Sequence, residues 1–278
     1  MPDMHPYPLA LVVSTHSSKF AAVSQVGDVA VRIAQLAAVG FDGVELAIRD
    51  PALVDGDELA ELVERHHLAV PAIGTGQAYI EEGLLLTSAD AATRRAALDR
   101  VLSHLPLAAR MNAAVIVGLI GTASADGQSF ERATDHLVAG LRAIAAAADG
   151  VGVRVIVEPV NRYESELVRT VDEGLRLLAA VDMDNVGLLL DTFHMNIEEA
   201  SIPDSIRQCG EKLFHFHTAD SNRWYPGAGH IDFSGILDAL DELAYGGFLS
   251  GEFLPNPGPA EAARMYYENM TTHVRSRA

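Results

Sequence analysis

The sequence is poor in cysteine and in long apolar runs, and each absence excludes a class of protein. Cys209 is the single cysteine among 278 residues, so no intrachain disulfide can form and a reducing compartment is expected. No run of 18 apolar residues occurs, so we expect no membrane span. Residues 1–15 have no basic stretch before their short apolar run, so we expect no secretory signal and a cytoplasmic location.

Positive charge is also scarce. Twenty Lys and Arg residues against 38 Asp and Glu residues give a formal net charge of −18. Nucleic-acid-binding proteins usually carry a basic patch, and the nearest candidate, TRRAALDR at 93–100, places its arginines among alanines on a predicted helix. We therefore expect no nucleic-acid partner. Solubility alone explains the acidity, and an anionic substrate would need a local arginine.

Short apolar runs alternate with longer Ala- and Leu-rich segments of helical period. The runs predict eight strands, at 9–15, 43–48, 68–74, 113–119, 153–158, 186–191, 213–218 and 249–253. This alternation indicates parallel strands joined by right-handed crossovers. Eight units in about 250 residues is the size of a (β/α)8 barrel. We therefore predict an α/β fold, a TIM barrel forming a single domain over residues 1–278.

Two features bear on this fold prediction. The main alternative is a doubly wound open sheet, which usually has a glycine-rich phosphate turn after its first strand. The segment VVSTHSSKF at this position is not such a turn. The sixth connection, interrupted by Pro203, is the least regular of the predicted crossovers.

In a TIM barrel, functional side chains gather at the carboxyl ends of the strands. Strand alternation places four side chains there, on successive strands and on one face: Glu158, Asp191, His217 and Glu252. Three converging carboxylates repel one another unless a cation lies between them. Three oxygens and one imidazole suit Mn²⁺, Mg²⁺ or Co²⁺ better than a structural zinc site. We predict one divalent ion held by these four residues, with Mn²⁺ as the first choice.

Some of these residues also have simpler interpretations. Glu158 precedes a proline and is typical of a turn, and Asp191 is typical of a helix cap. His215 lies two residues deeper in its strand, so we expect it to pack inside the barrel. The phenylalanines of the same strand, Phe214 and Phe216, are predicted to face the helices.

Several motifs between residues 158 and 255 resemble one family. VEPVNRYES, DTFHMNIEE, FHFHTADSNRWYPGAGHIDF and GEFLP are similar to the sugar isomerase/epimerase barrels related to D-tagatose 3-epimerase and D-psicose 3-epimerase. TGQAYIEEG at 75–83 and the form of the strand-7 loop resemble a subgroup that includes 5-keto-L-gluconate epimerase. The motifs are more specific for the superfamily than for the substrate.

The resemblance implies an isomerase and a role for each of seven side chains. It implies that the four predicted ligands hold the metal and that substrate oxygens contact Glu164, His194 and Arg223. It further implies that Glu158 and Glu252 act as acid and base at C3 of a ketose or keto-sugar acid, through an enediolate stabilised by the cation. Relatives often pair through the rim of the barrel, so a homodimer or homotetramer is expected.

Other functions remain open at this point. The same scaffold supports aldose–ketose isomerisation, hydroxypyruvate isomerisation and inosose dehydration, and a non-catalytic sugar-binding protein is a further alternative. An abasic-site endonuclease of this fold carries a three-zinc cluster with additional histidines from strands 3 and 4. Those strand ends read IGTGQ and VGLIGT and contain no histidine.

The residues that would select the substrate are harder to predict. Arg49 or Gln77 is a candidate for the far end of the sugar, where an arginine would favour a terminal carboxylate. The simpler interpretation pairs Arg49 with Asp50 or Glu45. Trp224, in the strand-7 loop, either walls the substrate or packs within its loop.

Overall fold

A closed parallel barrel forms the centre of the protein. The structure, a computed structural model, describes residues 7–17, 19, 22 and 27–275. The strands follow one another around the barrel in chain order, and the last pairs with the first. They are β1 Leu9–Ser14, β2 Gly43–Ala47, β3 Ala72–Gly74, β4 Ala114–Val117, β5 Val155–Val157, β6 Val186–Asp191, β7 Leu213–Thr218 and β8 Leu249–Gly251. Each lies inside its predicted run, and the predicted TIM barrel is confirmed.

Helices connect the strands on the outside of the barrel. Within the described residues they are α1 Val29–Val39, α2 Gly56–Arg65, α3 Gln77–Glu82, α4 Ala91–Met111, α5 Leu119–Thr122, α6 Phe130–Asp149, α7 Val171–Val181, α8 Thr192–Glu198, α9 Ile202–Cys209, α10 Phe233–Glu242 and α11 Pro259–Arg275. Side-chain oxygens cap many of them, as Ser129 does for α6 and Thr170 for α7. In this part of the chain, no helix has the length and apolarity needed to cross a bilayer.

Three short helices were not predicted, and they lie beside the carboxyl ends of the strands. These are α3 after β3, α5 after β4 and α8 after β6. The irregular sixth connection contains α8 and α9, followed by a short 3-10 helix at Gly210–Lys212. Pro203 lies in the first turn of α9, where its missing N–H costs no intrahelical hydrogen bond.

The barrel buries apolar side chains on both faces of its sheet. The larger cluster lies between strands and helices and includes Phe216, as predicted. The inner cluster consists of small and branched side chains: Ala72, Ala114, Ile116, Ile156 and Leu189. This inner packing fills the lower barrel and leaves polar side chains near its carboxyl end.

The prediction for Phe214 was wrong, because its ring packs against the inner cluster. The pairing of β6 with β7 shifts register between Leu188 and Leu189, so the regular alternation of side chains fails at this point. Gly187 supplies the space, since a Cβ there would lie 2.3 Å from the Phe214 ring. A one-residue irregularity thus turns an aromatic side chain into the barrel.

Candidate metal centre and active site

Four strands bring the predicted metal ligands together at one end of the barrel. Glu158 directly follows β5, Asp191 ends β6, and His217 is the last residue but one of β7. Glu252 directly follows β8. Each residue offers one ligand atom, and these atoms all lie within 4.8 Å of one another. The strand register produces this convergence, since Asp191 pairs with His217 across β6 and β7.

Three of these ligand atoms are buried without a hydrogen-bond partner among the described residues. They are Glu158 Oε1, Asp191 Oδ2 and His217 Nδ1. His217 Nδ1 lies 3.9 Å from Asp191 Oδ2 and from Glu252 Oε2, which is too long for a hydrogen bond. Since buried polar groups in proteins are nearly always satisfied, this donor set fits a divalent cation, which these four residues would hold.

The three carboxyl groups of the cluster resist ionisation, and a bound cation would offset this resistance. Burial raises the pKa of Glu158 well above its usual value, and the neighbouring charge of Glu252 raises it further. Burial likewise raises the pKa of Glu252 to about 7 and raises that of Asp191. Protein groups alone therefore oppose ionisation of all three carboxylates, and a nearby positive ion reverses this preference.

Glu45, in the middle of β2, is a functional candidate that the sequence did not reveal. It is 1% exposed, and its carboxylate lies 2.7 Å from His215 Nε2 and 2.9 Å from His217 Nε2. Burial lowers the pKa of His217, but the charge and hydrogen bond of Glu45 outweigh it and raise the pKa to about 10. Nε2 of His217 thus donates to Glu45, and Nδ1 points toward the three carboxylates.

Asp191 satisfies both interpretations of its sequence position. Its Oδ1 accepts a hydrogen bond of 2.7 Å from the backbone N–H of Phe193 and caps α8. Its Oδ2 faces His217 in the ligand cluster. One carboxylate therefore starts a helix and offers its other oxygen to the site, and α8 begins beside the ligands.

The end of β4 is shaped to accept Glu158. A Cβ on Gly118 would lie 2.7 Å from Glu158 Oε2. Real Cβ atoms do not approach other atoms so closely, so any larger residue at this position would displace the carboxylate. Gly118 is therefore part of the reason that Glu158 reaches the ligand cluster.

Arg223 contacts residues that follow three other strands, β5, β6 and β8, above the ligand cluster. Its Nη1 donates to Glu164 Oε1 at 2.6 Å, and its Nη2 lies 3.9 Å from Glu252 Oε2. Its guanidinium lies 4.7 Å from the centroid of the Phe193 ring, a cation–π arrangement. Its backbone has a positive φ of 58°, and its carbonyl accepts a hydrogen bond of 2.7 Å from Leu254.

His194, on α8, faces the same space. It is 3% exposed, and its Nε2 lies 3.7 Å from Glu158 Oε1. Burial lowers its pKa well below the usual value, and the charges of Arg223 and His217 lower it further, so the ring is neutral. Asn161 links His194 to Glu164, since its Nδ2 contacts His194 Nδ1 at 2.7 Å and Glu164 Oε1 at 3.0 Å.

The strand-7 loop is organised by one carboxylate that sequence reasoning missed. Asp220 accepts hydrogen bonds from the backbone N–H groups of Ser221, Gly227 and Ile231. Asp220 is 1% exposed and directly precedes the turn that carries Arg223. The loop is thereby fixed around Asp220, and the backbone that presents Arg223 is fixed with it.

A cleft of about 580 Å³, part of it open to solvent, lies over the ligand cluster. Glu158, Glu252, His194 and Arg223 line it together with Glu45 and Glu164. Apolar side chains line another part of its wall: Val12, Ala47, Ile80, Ile116 and Leu119. Gln77 also lines it and donates a hydrogen bond of 2.7 Å to Ser14 Oγ. Trp224 lies outside this lining on the surface and is 37% exposed.

Arg49, one of the two candidates for the far end of the sugar, lies outside the described lining of the cleft. Arg49 Nε lies 3.4 Å from Glu82 on α3. The simpler interpretation, an ion pair of Arg49 with Asp50 or Glu45, was wrong in its partner. Asp50 pairs with Arg100 at 3.1 Å, and Glu45 contacts the histidines. Within the described lining residues, Arg223 is the one arginine.

We expect Arg49→Ala to change the turnover of neutral ketoses by less than about threefold, because it removes a half-exposed ion pair away from the cleft. We expect the same small change for a keto-gluconate. Steady-state kinetics on both substrate types check this. A selective loss of the acid, with the neutral sugars unaffected, would show that Arg49 recognises a carboxylate after all.

Comparisons with known proteins agree with the geometry. The model of the family described as xylose isomerase-like TIM barrel matches residues 33–270. The L-ribulose 3-epimerase of Mesorhizobium japonicum is 32% identical over 244 residues, or 86% of this chain and 80% of that enzyme. The D-psicose 3-epimerase of Agrobacterium fabrum is 34% identical over 224 residues, or 77% of this chain and 75% of that enzyme. The crystal structure of a D-psicose 3-epimerase in the presence of D-fructose superposes with a TM-score of 0.80 and 26% identity, over 96% of this chain and 99% of that one.

Proposed function

Because this chain belongs to the xylose isomerase-like TIM barrel family, we propose that it is a divalent-metal-dependent isomerase that inverts C3 of a neutral ketose. The observation that carries the proposal is the set of three carboxylates and one imidazole whose ligand atoms lie within 4.8 Å of one another. The two relatives named above, both 3-epimerases, support it. The closer likeness to 5-keto-L-gluconate epimerase, the cytoplasmic location and the oligomeric state stay predictions.

The proposed reaction begins with removal of the proton on C3, beside the ketone. This proton is labile only if the enediolate that results is stabilised. When bound, a divalent cation supplies Lewis-acid stabilisation to the ketone oxygen. Arg223 and His194 line the same cleft and can donate hydrogen bonds to an oxygen that gains negative charge.

Inversion at C3 also requires a base on one face of the carbon and an acid on the other. The four predicted ligands come from β5 to β8 in chain order. Glu158 follows the first of these strands and Glu252 the last, and both line the cleft. Each is a carboxyl group that can take up a proton from C3 in its ionised form and return one in its protonated form. We assign proton removal to one and proton delivery to the other, with the roles exchanged in the reverse direction.

The charge of the cleft wall favours a neutral sugar over a keto-sugar acid. Arg223, the one arginine among the described lining residues, already pairs with Glu164 at 2.6 Å. A carboxylate at the far end of the substrate would meet an apolar wall and several acidic side chains. Desolvating that carboxylate without a partner would cost binding energy.

The experiment uses metal-replete protein with D-psicose, D-fructose, D-tagatose, L-ribulose and a keto-gluconate, followed by carbon-13 NMR in D₂O. We expect a C3 epimer with deuterium at C3, and turnover that falls at least about 100-fold after chelation. Mn²⁺, Mg²⁺ and Co²⁺ are each added back to identify the preferred ion. An aldose product would indicate an aldose–ketose isomerase, and turnover indifferent to chelation would refute the proposed function.

A further inference from the structure

Asn161 lies between the substrate-facing histidine and the carboxylate that binds Arg223. It is 1% exposed and lies four residues after Val157, the last residue of β5. Its side-chain amide has three partners, which are the backbone N–H of Tyr163, the carboxylate of Glu164 and Nδ1 of His194. These contacts use both ends of the amide, so each partner constrains the orientation of the group.

The partners fix which end of the amide faces the histidine. The backbone N–H of Tyr163 can only donate, so the atom 2.9 Å from it is the carbonyl oxygen of Asn161. The NH₂ group therefore faces the other way, toward Glu164 Oε1 and His194 Nδ1. Glu164 agrees with this orientation, because the same oxygen accepts a hydrogen bond of 2.6 Å from the Arg223 guanidinium, which can only donate.

The orientation of Asn161 in turn fixes the proton on His194. An NH₂ donor lies 2.7 Å from Nδ1, so Nδ1 must accept and carries no proton. The single proton of the neutral ring is then on Nε2, which faces the cleft 3.7 Å from Glu158 Oε1. A ring with its proton on Nδ1 would place two donors against each other.

We infer that Asn161 is a positioning residue that locks His194 in the Nε2–H tautomer, so that the histidine presents a donor and not a base to the cleft. The step from this tautomer to a hydrogen bond with a substrate oxygen rests on the proposed function. The tautomer itself does not, because it follows from contacts among Tyr163, Glu164, Asn161 and His194. The chain from Arg223 through Glu164 and Asn161 thus determines what His194 can do.

The test compares the wild-type protein with Asn161→Asp, in which both side-chain oxygens accept hydrogen bonds. Protein labelled with ¹⁵N-histidine and loaded with diamagnetic Mg²⁺ is studied by long-range ¹H–¹⁵N NMR, and His194→Gln assigns the ring signals. We expect Nε2–H in the wild type and Nδ1–H in Asn161→Asp. We expect kcat for the ketose to fall about 100- to 1,000-fold with KM changed less than about threefold, as for loss of a donor used in the transition state.

Asn185→Asp is the matched control, because it makes the same amide-to-acid change just before β6, at the other end of the barrel. It should leave the His194 signals unchanged. If Asn161→Asp fails to fold, Asn161→Ala is used, and a mixture of both tautomers is expected. A proton on Nδ1 in the wild type, or Nε2–H retained in Asn161→Asp, would overturn the inference. Nε2–H in a protein that epimerises no sugar would instead refute the proposed function alone.

Discussion

Replacing Glu252 with glutamine is expected to lower the rate of C3 epimerisation at least about 10⁴-fold. The amide keeps the shape of the side chain but can neither remove nor deliver a proton at neutral pH. Glu252 lies at the cleft with its Oε2 3.9 Å from His217 Nδ1 and from Arg223 Nη2. The substitution therefore removes a proposed acid–base group and weakens a proposed ligand at the same time. Conversion of each epimer, followed by NMR, measures the loss.

Two further measurements separate the acid–base role of Glu252 from its role as a ligand. Isothermal titration with Mn²⁺ reports the affinity for the ion without turnover. Deuterium exchange at C3 reports proton removal without inversion, and we expect Glu252→Gln to exchange the proton of one epimer only, through Glu158. Glu158→Gln should exchange the proton of the other epimer only.

The exposed Glu211, after α9, is the control for this series. Glu211→Gln makes the same chemical change outside the cleft and should leave the rate within about twofold of the wild type. Glu252→Gln could instead lose deuterium exchange equally with both epimers while its metal affinity is unchanged. That result would contradict a mechanism with one base on each face of C3. Undiminished epimerisation would remove Glu252 from the reaction altogether.

The barrel was predictable because its signal is local and repeated. Runs such as VGLLLD and LFHFHT predict strands by themselves, and β6 and β7 occupy those same residues. Once the strands are placed, the barrel rule puts their carboxyl ends at one rim. That is why Asp191 and His217 could be brought together from sequence although 26 positions separate them in the chain.

What the sequence did not predict depends on contacts between distant strands. Glu45 lies in the run GVELAI, where nothing marks it as a partner of histidines 170 and 172 residues away. Phe214 was misplaced because the register shift beside Leu188 is a property of strand pairing and not of one strand's alternation. The ion-pair partner of Arg49 was mispredicted because Glu82 lies on α3, a short helix that periodicity did not reveal.

The second large effect is expected on stability, from Glu45→Leu. Glu45 is buried against His215 and His217, and removal of one partner leaves the others buried without compensation. Such losses cost about 3–5 kcal/mol in the free energy of unfolding. In a chain of this size, that lowers Tm by about 10 °C. Thermal and urea unfolding of protein treated with chelator measures the change.

The pH dependence of this effect follows from the two pKa shifts. Burial opposes ionisation of Glu45, but His217 and His215 outweigh it and lower its pKa below 4.5, so its contribution is lost as pH falls below that value. The pKa of His217 rises from 6.5 to about 10, so its contribution is complete below pH 6.5 and is lost toward pH 10. The stability difference between wild type and Glu45→Leu should therefore be largest between pH 4.5 and 6.5. Glu211→Leu, an exposed control, should shift stability by less than about 0.5 kcal/mol. A Glu45→Leu effect that stays constant from pH 6 to pH 10 would show that its carboxylate does not pair with a protonated His217.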